Sequence, residues 1–436
     1  MKVLILGSGA REHALGWAVR QADPSADVLF CPGNGGTRRI GPFLAGRSGD
    51  PVRLEDMDRL IEAARLAGPD LTIVGPEVPL VAGIADRFRA AGLPVFGPSA
   101  RAAAIEGSKV FSKNLMRRHG IPTPAFDVFA TPQEARSALC NGMFPKVIKA
   151  DGLAAGKGVV IARSRDEAER AIEEIMERRR FGGAGDQVLV EAFQEGEEVS
   201  AFAIARGTDF RLLPLAQDHK RAGEGDTGEN TGGMGAYAPV TRLGADFVRA
   251  VSEEVFAPAL RALAEDGRPF SGLLYAGLVV AHGRPSVLEF NCRFGDPETE
   301  ALVPLLGAGF LEALIAAAAM EDPLPPIPEV RCASAGEAGA SAATVVLASA
   351  GYPGQYQSGF PITGIEKAEE LPETFVFHAG TRLDGHRLVT AGGRVLAVTG
   401  RGPNLKEALR RAYEGCSVIE FEGKTLRRDI GNRGLV

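Results

Sequence analysis

The stretch Ile148-Lys149-Ala150-Asp151-Gly152-Leu153-Ala154-Ala155-Gly156-Lys157-Gly158-Val159 sets two lysines around a loop of small residues. An apolar run leads into it (Val147-Ile148-Lys149) and another leads out of it (Val159 to Ala162), so the loop joins two strands. Glycines let such a loop close over a polyphosphate and offer backbone N–H groups, while the lysines supply positive charge. The pattern is not a Walker loop: Gly-x-x-x-x-Gly-Lys-Ser/Thr is missing, and a strand follows where that motif needs a helix. Lys149 ends an apolar strand, where an unpaired ammonium would be costly. A loop that binds an anion fits this better than a hairpin with solvated lysines.

Downstream, Val188-Leu189-Val190 closes a small unit running from about 121 to 193. It also holds a strand from Phe126 to Phe129, a helix opened by Thr131-Pro132, and a helix from Arg165 to Arg180 with Ser164 and Glu167 as a capping box. Glu191-Ala192-Phe193 and then Gly196-Glu197-Glu198 read as a strand, a crossing loop and a strand. That shape can hydrogen-bond an adenine edge, with a carboxylate on the ribose hydroxyls, although solvated surface glutamates look the same. In Leu288-Glu289-Phe290-Asn291-Cys292-Arg293-Phe294-Gly295-Asp296-Pro297-Glu298, Glu289 and Asn291 are two apart on a strand and share a face. Two hard oxygen donors on one face suit Mg²⁺ on ATP phosphates. Arg293 joins that face if the strand continues, and suits a carboxylate or a migrating phosphoryl group. A structural salt cluster is the competing reading. Gln217 to Arg221 and Asp226 to Tyr237, with Gly233, belong to a long polar loop. Asp218 there suits an ammonium group and Lys220 stands beside it; His219 is given no role.

Upstream, residues 1 to about 106 alternate strands (Val3 to Leu6, Val28 to Phe30, Leu71 to Val74, Val95-Phe96) with helices (Asp56 to Leu66, Pro79 to Ala91), which predicts a parallel sheet with helices on its faces. Gly7-Ser8-Gly9-Ala10-Arg11-Glu12-His13 follows the first strand and suits an anion site at a helix N-terminus, a tight strand-to-helix turn without a ligand being the competing reading. The third glycine of the dinucleotide fingerprint is replaced by Glu12, so a single phosphate helped by Arg11 fits better than a pyrophosphate. Gly33-Asn34-Gly35-Gly36-Thr37 and Gly75-Pro76-Glu77 follow the next two strands, and such loops converge at one edge of the sheet. A helix spans 109 to 120. A unit from 194 to about 328 holds strands Val199 to Ala205, Leu274 to Ala281 and Val287 to Phe290, with helices near 244–265 and 300–319. Pro323 to Pro328 reads as a linker and Ala333 to Ala343 as a flexible lead-in. The last part, 331–436, is an α/β module of strands (Ala343 to Leu347, Phe375 to His378, Arg394 to Val398) and one helix (Leu405 to Cys416).

Composition is that of an ordinary globular chain of 436 residues. Its formal charge of -6 argues against nucleic acid as a partner. Cysteines at 31, 140, 292, 332 and 416 form no Cys-x-x-Cys pair and read as reduced thiols. No apolar run reaches the ~18 residues of a membrane span, and the N-terminus reads as a first strand, not a leader. No membrane partner and a cytoplasmic location follow as expectations.

Taken together, Gly-Ala-Arg-Glu-His13, Pro-Gly-Asn34, Val-Gly-Pro-Glu77, Glu106-Gly-Ser-Lys109, the 149–157 loop, Gln-Asp-His-Lys-Arg221, Asn-Thr-Gly-Gly-Met-Gly-Ala-Tyr237 and Glu-Phe-Asn-Cys-Arg-Phe-Gly-Asp-Pro-Glu298 resemble the ATP-grasp ligases. Within them they resemble the phosphoribosylamine–glycine ligase family, over essentially the whole chain. The resemblance implies a multidomain α/β fold: a Rossmann-like phosphosugar domain (1–106), an ATP-grasp domain (107–120 and 194–328) with a lid (121–193), and a C-terminal domain (331–436). It implies that ATP, glycine and 5-phosphoribosylamine give ADP, phosphate and glycinamide ribonucleotide through glycyl phosphate. Lys109, Lys149 and the loop of Gly152, Gly156, Lys157 and Gly158 would then bind the ATP phosphates. Glu191, Ala192 and Phe193 would hold adenine, Glu198 the ribose, and Glu289 and Asn291 Mg²⁺ (or Mn²⁺). Arg293, Asp218 and Lys220 would serve glycine and the chemistry. Gly9, Arg11, Glu12, Gly33, Asn34, Thr37, Pro76, Glu77 and Gly233 would take the sugar phosphate. A monomer is the default. Tyr275-Ala276-Gly277-Leu278 lacks the second metal carboxylate of many ATP-grasp enzymes, as does this family, so the metal shell stays open. Another ATP-grasp ligase or a carboxylase is the nearest alternative. An oxidoreductase is disfavoured by Glu12 and by the lack of an acid after the second strand.

Overall fold

Lys2–Gly7, Asp27–Pro32, Leu71–Val74 and Val95–Phe96 form an all-parallel sheet in the order second, first, third, fourth. The computed structural model describes residues 1–139, 143–154, 158–307, 309–319 and 340–435. Val3, Leu4, Ile5 and Leu6 are fully buried, as strands covered on both faces must be. Helix Ala10–Ala22 lies so close that a Cβ on Gly16 would stand 2.4 Å from the ring of Phe30. The helix expected from Pro79 to Ala91 is two, Glu77–Val81 and Ile84–Ala90, parted by Gly83 at φ +87°.

A second, antiparallel sheet runs Asp209–Leu212, Glu197–Arg206, Ser271–Ala281, Arg284–Asn291. Glu289 faces Gly277 and Asn291 faces Tyr275 across it, with a bulge after Gly277. A third sheet (Phe126–Phe129, Val188–Ala192, Lys146–Ala150, Val159–Ala162) is antiparallel and carries its own apolar cluster, including Ile148, Ala168, Ile172 and Val188. Its helix is α only over Arg165–Ile172 and continues as a π turn over Glu173–Glu177, short of Arg180. The long helix near 244–265 has a π turn at Val251–Phe256, just before Pro258, which has no N–H for the α ladder.

The C-terminal sheet is not built from the C-terminal segment alone. Its order is Gln217–Asp218, Gly235–Ala238, Ser341–Ser349, Arg394–Gly402, Thr374–His378. The polar loop of 217–238 therefore contributes two of its strands, which pair with each other and with Ser341–Ser349. Strand Ser341–Ser349 starts inside the stretch expected to be a flexible lead-in. Pro323 to Pro328 and residues 333–339 of that lead-in lie outside the described residues, as do Cys140 and Cys332. Helix Leu405–Val418 packs on this sheet, and one apolar cluster runs from Leu4 through Leu274 to Val398. Among the described residues, no helix is long and apolar enough to cross a membrane.

Candidate active site

Strand Arg284–Asn291 ends at Asn291, so Arg293 does not continue it. Even so, Glu289, Asn291 and Arg293 line one cleft, together with Glu77, Lys109, Lys149 and Gly158. The turn after the strand aims the guanidinium there. Its Nε donates to Glu77 Oε2 at 3.2 Å, an outer nitrogen lies 3.5 Å from Glu106 Oε1, and another donates to the Phe294 carbonyl at 3.2 Å. The Cys292 N–H donates to Glu106 at 2.7 Å. Burial raises the Glu106 carboxyl, with Arg293 opposing. Burial also acts upward on Glu77, but Arg293 and then Arg11 prevail and hold it below the ordinary range. Glu289 is likewise held low against burial, by Lys220, Lys109, Lys149 and Arg293 in that order.

Helix Lys109–Arg118 starts at Ser108, whose hydroxyl caps Phe111 N at 3.0 Å. Asp151 sits at this helix N-terminus, accepting from Val110 N at 3.0 Å and Ser108 Oγ at 3.0 Å. Lys109 Nζ donates to the Gly152 carbonyl at 2.9 Å. The first half of the glycine loop is thereby fastened over the helix end; Gly156 and Lys157 lie outside the described residues. Lys149 donates to the Leu288 carbonyl at 3.2 Å and pairs with Glu191. Glu191 is 1% exposed and pairs also with Lys113, a residue the sequence reading passed over. The Ala192 N–H is taken by the Ala125 carbonyl at 2.8 Å, and Phe193 stands exposed at the strand end. Lys113 follows Lys109 by one helical turn, the spacing that puts two side chains on one face, and that signal was available.

Asp218 lies on the short strand Gln217–Asp218, and Lys220 donates to Glu198 at 2.5 Å. Burial pushes the Asp218 carboxyl up to about 7, with Lys220 opposing and Glu298 and Glu198 reinforcing. Glu298 accepts from Ser200 Oγ and Tyr275 OH, both at 2.9 Å. His219 is tied down as a structural residue: its Nε2 accepts from Gly431 N at 3.2 Å.

The three N-terminal loops converge as expected: Gly33 N donates to Gly7 O at 3.2 Å and Gly75 N to Leu6 O at 2.9 Å. Glu12 fills the middle of them. Its carboxylate accepts from Gly9 N and Arg11 Nε, each at 2.5 Å, and a Cβ on Gly75 would stand 1.9 Å from it. That space is what a dinucleotide-binding turn leaves open. Arg11 also donates to the Phe294 carbonyl at 3.0 Å, binding this sheet to the central one. Asn34 and Thr37 are buried and turned inward. Asn34 Oδ1 accepts from Gly36 N (2.9 Å) and Thr37 N (3.0 Å), while its Nδ2 donates to Ser8 O (2.9 Å) and His378 O (2.6 Å). Gly33 is at φ +71° against Phe43, and Pro76 precedes helix Glu77–Val81. Gly233, at φ +107°, lies against Pro297, and Gly9 faces Asp296, so these glycines meet around 296–297. Glu12→Ala is expected to lower unfolding free energy by on the order of 3 kcal/mol, because it leaves Arg11 buried without its carboxylate. Denaturant melts would show it, and an unchanged midpoint would refute it.

Cations from a sheet, a helix and the turn after Asn291 meet hard oxygen donors across this cleft, and that combination with this fold defines the class: an ATP-grasp ligase. Family models place it further. The phosphoribosylglycinamide synthetase N domain matches residues 1–106, its ATP-grasp (A) domain 107–299 and its C domain 342–433. The chain belongs to the phosphoribosylglycinamide synthetase family. It is 50% identical to a phosphoribosylamine–glycine ligase of Chlorobaculum tepidum, covering 100% of each chain. It is 44% identical to a trifunctional purine biosynthetic protein of Gallus gallus, of which it spans 42%. A crystal structure of phosphoribosylamine–glycine ligase from Thermotoga maritima superposes with a TM-score of 0.83 at 37% identity, covering 99% of this chain and 100% of that one.

Proposed function

We propose that the chain joins glycine to 5-phosphoribosylamine, converting ATP to ADP and phosphate through glycyl phosphate and yielding glycinamide ribonucleotide. Full-length relatives with that name support the overall reaction. The observation that carries it within this chain is the shared cleft of Lys109, Lys149, Glu289, Asn291 and Arg293. ADP release should require ATP, Mg²⁺, glycine and freshly made phosphoribosylamine together. Release without either acceptor or acid, or equal turnover with another pair, would overturn the substrate assignment.

In this reading Lys109, Lys149 and the 151–158 loop neutralise the phosphates, with adenine along 191–193 and the ribose at Glu198. Glu289 and Asn291 fit a divalent cation: both offer oxygen, they share a strand face, and Glu289 is held ionised. Hard donors favour Mg²⁺, with Mn²⁺ as a substitute; the ion would neutralise charge on the transferred phosphoryl group. Arg293 orients the glycine carboxylate for attack on the γ-phosphate, and Asp218 receives the glycine ammonium with Lys220 and Glu198 beside it. The amine, delivered from the 9–12, 33–37 and 75–77 loops and Gly233, then displaces phosphate from the glycyl carbon. Acyl phosphates hydrolyse, so water must be kept out. The small sheet of 121–193, with its separate apolar cluster, serves as the lid. Monomeric, cytoplasmic residence completes the reading; Cys31, Cys292 and Cys416 are free and buried.

Asp218 gives this reading a pH signature. Only its ionised form attracts an ammonium, and that form gains population as pH rises through about 7. The glycine kcat/KM should therefore climb between about pH 6 and 8. Asp218→Asn should lose roughly 10²-fold in glycine kcat/KM, as for a lost charge-assisted hydrogen bond, and flatten that limb while sparing the KM for ATP. A wild-type profile that is flat across this range would count against the role.

A further inference from the structure

Lys113 belongs to no strand end or glycine loop, yet it is among the largest fully buried side chains of the protein. It stands on helix Lys109–Arg118, one turn after Lys109. Its Nζ donates to Thr123 Oγ1 at 2.5 Å and approaches the Val287 carbonyl at 3.3 Å. It also pairs with Glu191 on the small sheet. Glu191 is shared. Lys113 holds its Oε1, and Lys149 holds its Oε2. The side chains of Lys113, Glu191 and Lys149 are 2%, 1% and 6% exposed. Two buried ammonium groups thus rest directly on one buried carboxylate, with the Glu289 carboxylate acting on both without a direct ion pair. A buried ion left without its direct partner is costly.

The two lysines are not equivalent. Lys113 is anchored to a helix, a hydroxyl and a backbone carbonyl. Lys149 ends strand Lys146–Ala150, immediately before the glycine loop that the proposed function puts over the triphosphate. If Lys149 left Glu191 for a phosphate oxygen with no other cation present, a buried carboxylate would be stranded. Lys113 removes that obstacle, because it stays on Oε1.

We propose that Lys113 is a positioning residue for nucleotide binding: it keeps Glu191 neutralised so that Lys149 can be released to the phosphates. The inference rests on the ATP-binding role given above to Lys149. The depression of the Lys113 ammonium to about 8, caused first by burial and then by Lys149, accords with two ammonium groups sharing one carboxylate. Lys113 acts through Glu191 and Lys149, not on the reacting atoms.

The test is a cycle of Lys113→Met, Glu191→Gln and the double variant, read by steady-state KM values and by calorimetric binding of ATP·Mg²⁺. Lys113→Met should raise the KM and Kd for ATP at least tenfold and leave the KM for glycine within about twofold, an allowance for ordinary non-specific effects of mutation. In the Glu191→Gln background, whose own ATP affinity is the reference because 191–193 is placed at the adenine, Lys113→Met should cost no more than about twofold further, because a neutral amide no longer retains Lys149. A merely structural role would lower the melting temperature, move both KM values alike, and make Lys113→Met cost as much with Gln at 191 as with Glu; that result overturns the proposal. Lys113→Gln keeps hydrogen-bonding capacity without charge, so it supplies a folded variant if Met is not tolerated, and it should show the same selective loss for ATP. Calorimetry separates this inference from the substrate assignment. Wild-type protein that binds ATP but makes no product would sink the assignment alone. Unchanged ATP binding by both Lys113 variants would sink the inference alone.

Discussion

Glu289→Gln is expected to lower kcat by about 10³-fold, or ~4 kcal/mol of transition-state stabilisation, while the protein stays folded. The carboxylate sits where Lys220, Lys109, Lys149 and Arg293 all favour its ionised form. An amide keeps the shape and one oxygen but removes the negative charge that offsets these cations and a divalent ion. The substitution should therefore raise the Mg²⁺ concentration needed for half-maximal rate as well as lowering the maximum. Its stability effect has a definite sign. A carboxyl held below its ordinary value stabilises the fold above the unfolded pKa, and that stabilisation fades as pH falls through the folded pKa. Wild type and variant should thus differ in thermal stability at neutral pH and converge in acid. Near-normal turnover, or an unchanged Mg²⁺ requirement, would remove Glu289 from the metal site.

Arg293→Met should cost both activity and stability. It loses the group proposed to align the glycine carboxylate, which predicts a fall of about 10²- to 10³-fold in kcat/KM. It also leaves Glu106 and Glu77 facing each other without their shared guanidinium. Breaking such a partly buried cluster should lower unfolding free energy by on the order of 3 kcal/mol. Arg293→Lys separates the two effects. An ammonium restores charge near Glu77 and Glu106 but not the planar fork that grips a carboxylate. Most of the stability should return and little of the activity. Full recovery of activity with lysine would show that Arg293 acts as a point charge only.

Much of this site was legible in the chain. Glu289 and Asn291 share a face because strand side chains alternate, and that needs no knowledge of the rest of the protein. Lys149 marked itself by standing at the end of an apolar strand beside glycines. The replacement of the third fingerprint glycine by Glu12 spoke against a dinucleotide turn, and the structure shows that carboxylate packed against Gly75. Arg293 was harder. Its place in the cleft was reasoned from a strand that ends before it, and the turn after Asn291 delivers it there instead. Glu106 and Glu77 gave no hint of sharing one arginine, since they are neighbours only across the fold.

What the sequence determined alone is local: which runs are strands or helices, where glycines turn the chain, and which polar residues share one face. Alternation, capping and turn chemistry act over a few residues, so a few residues suffice to read them. What only the tertiary structure decided is who partners whom. Gln217–Asp218 and Gly235–Ala238 close a sheet whose other strands begin at Ser341, a pairing set by burial of distant apolar faces. Glu191 lies between Lys113 and Lys149 because a helix and two strands bring them together. A charge is stabilised by whatever sits within a few ångströms, whatever its distance along the chain.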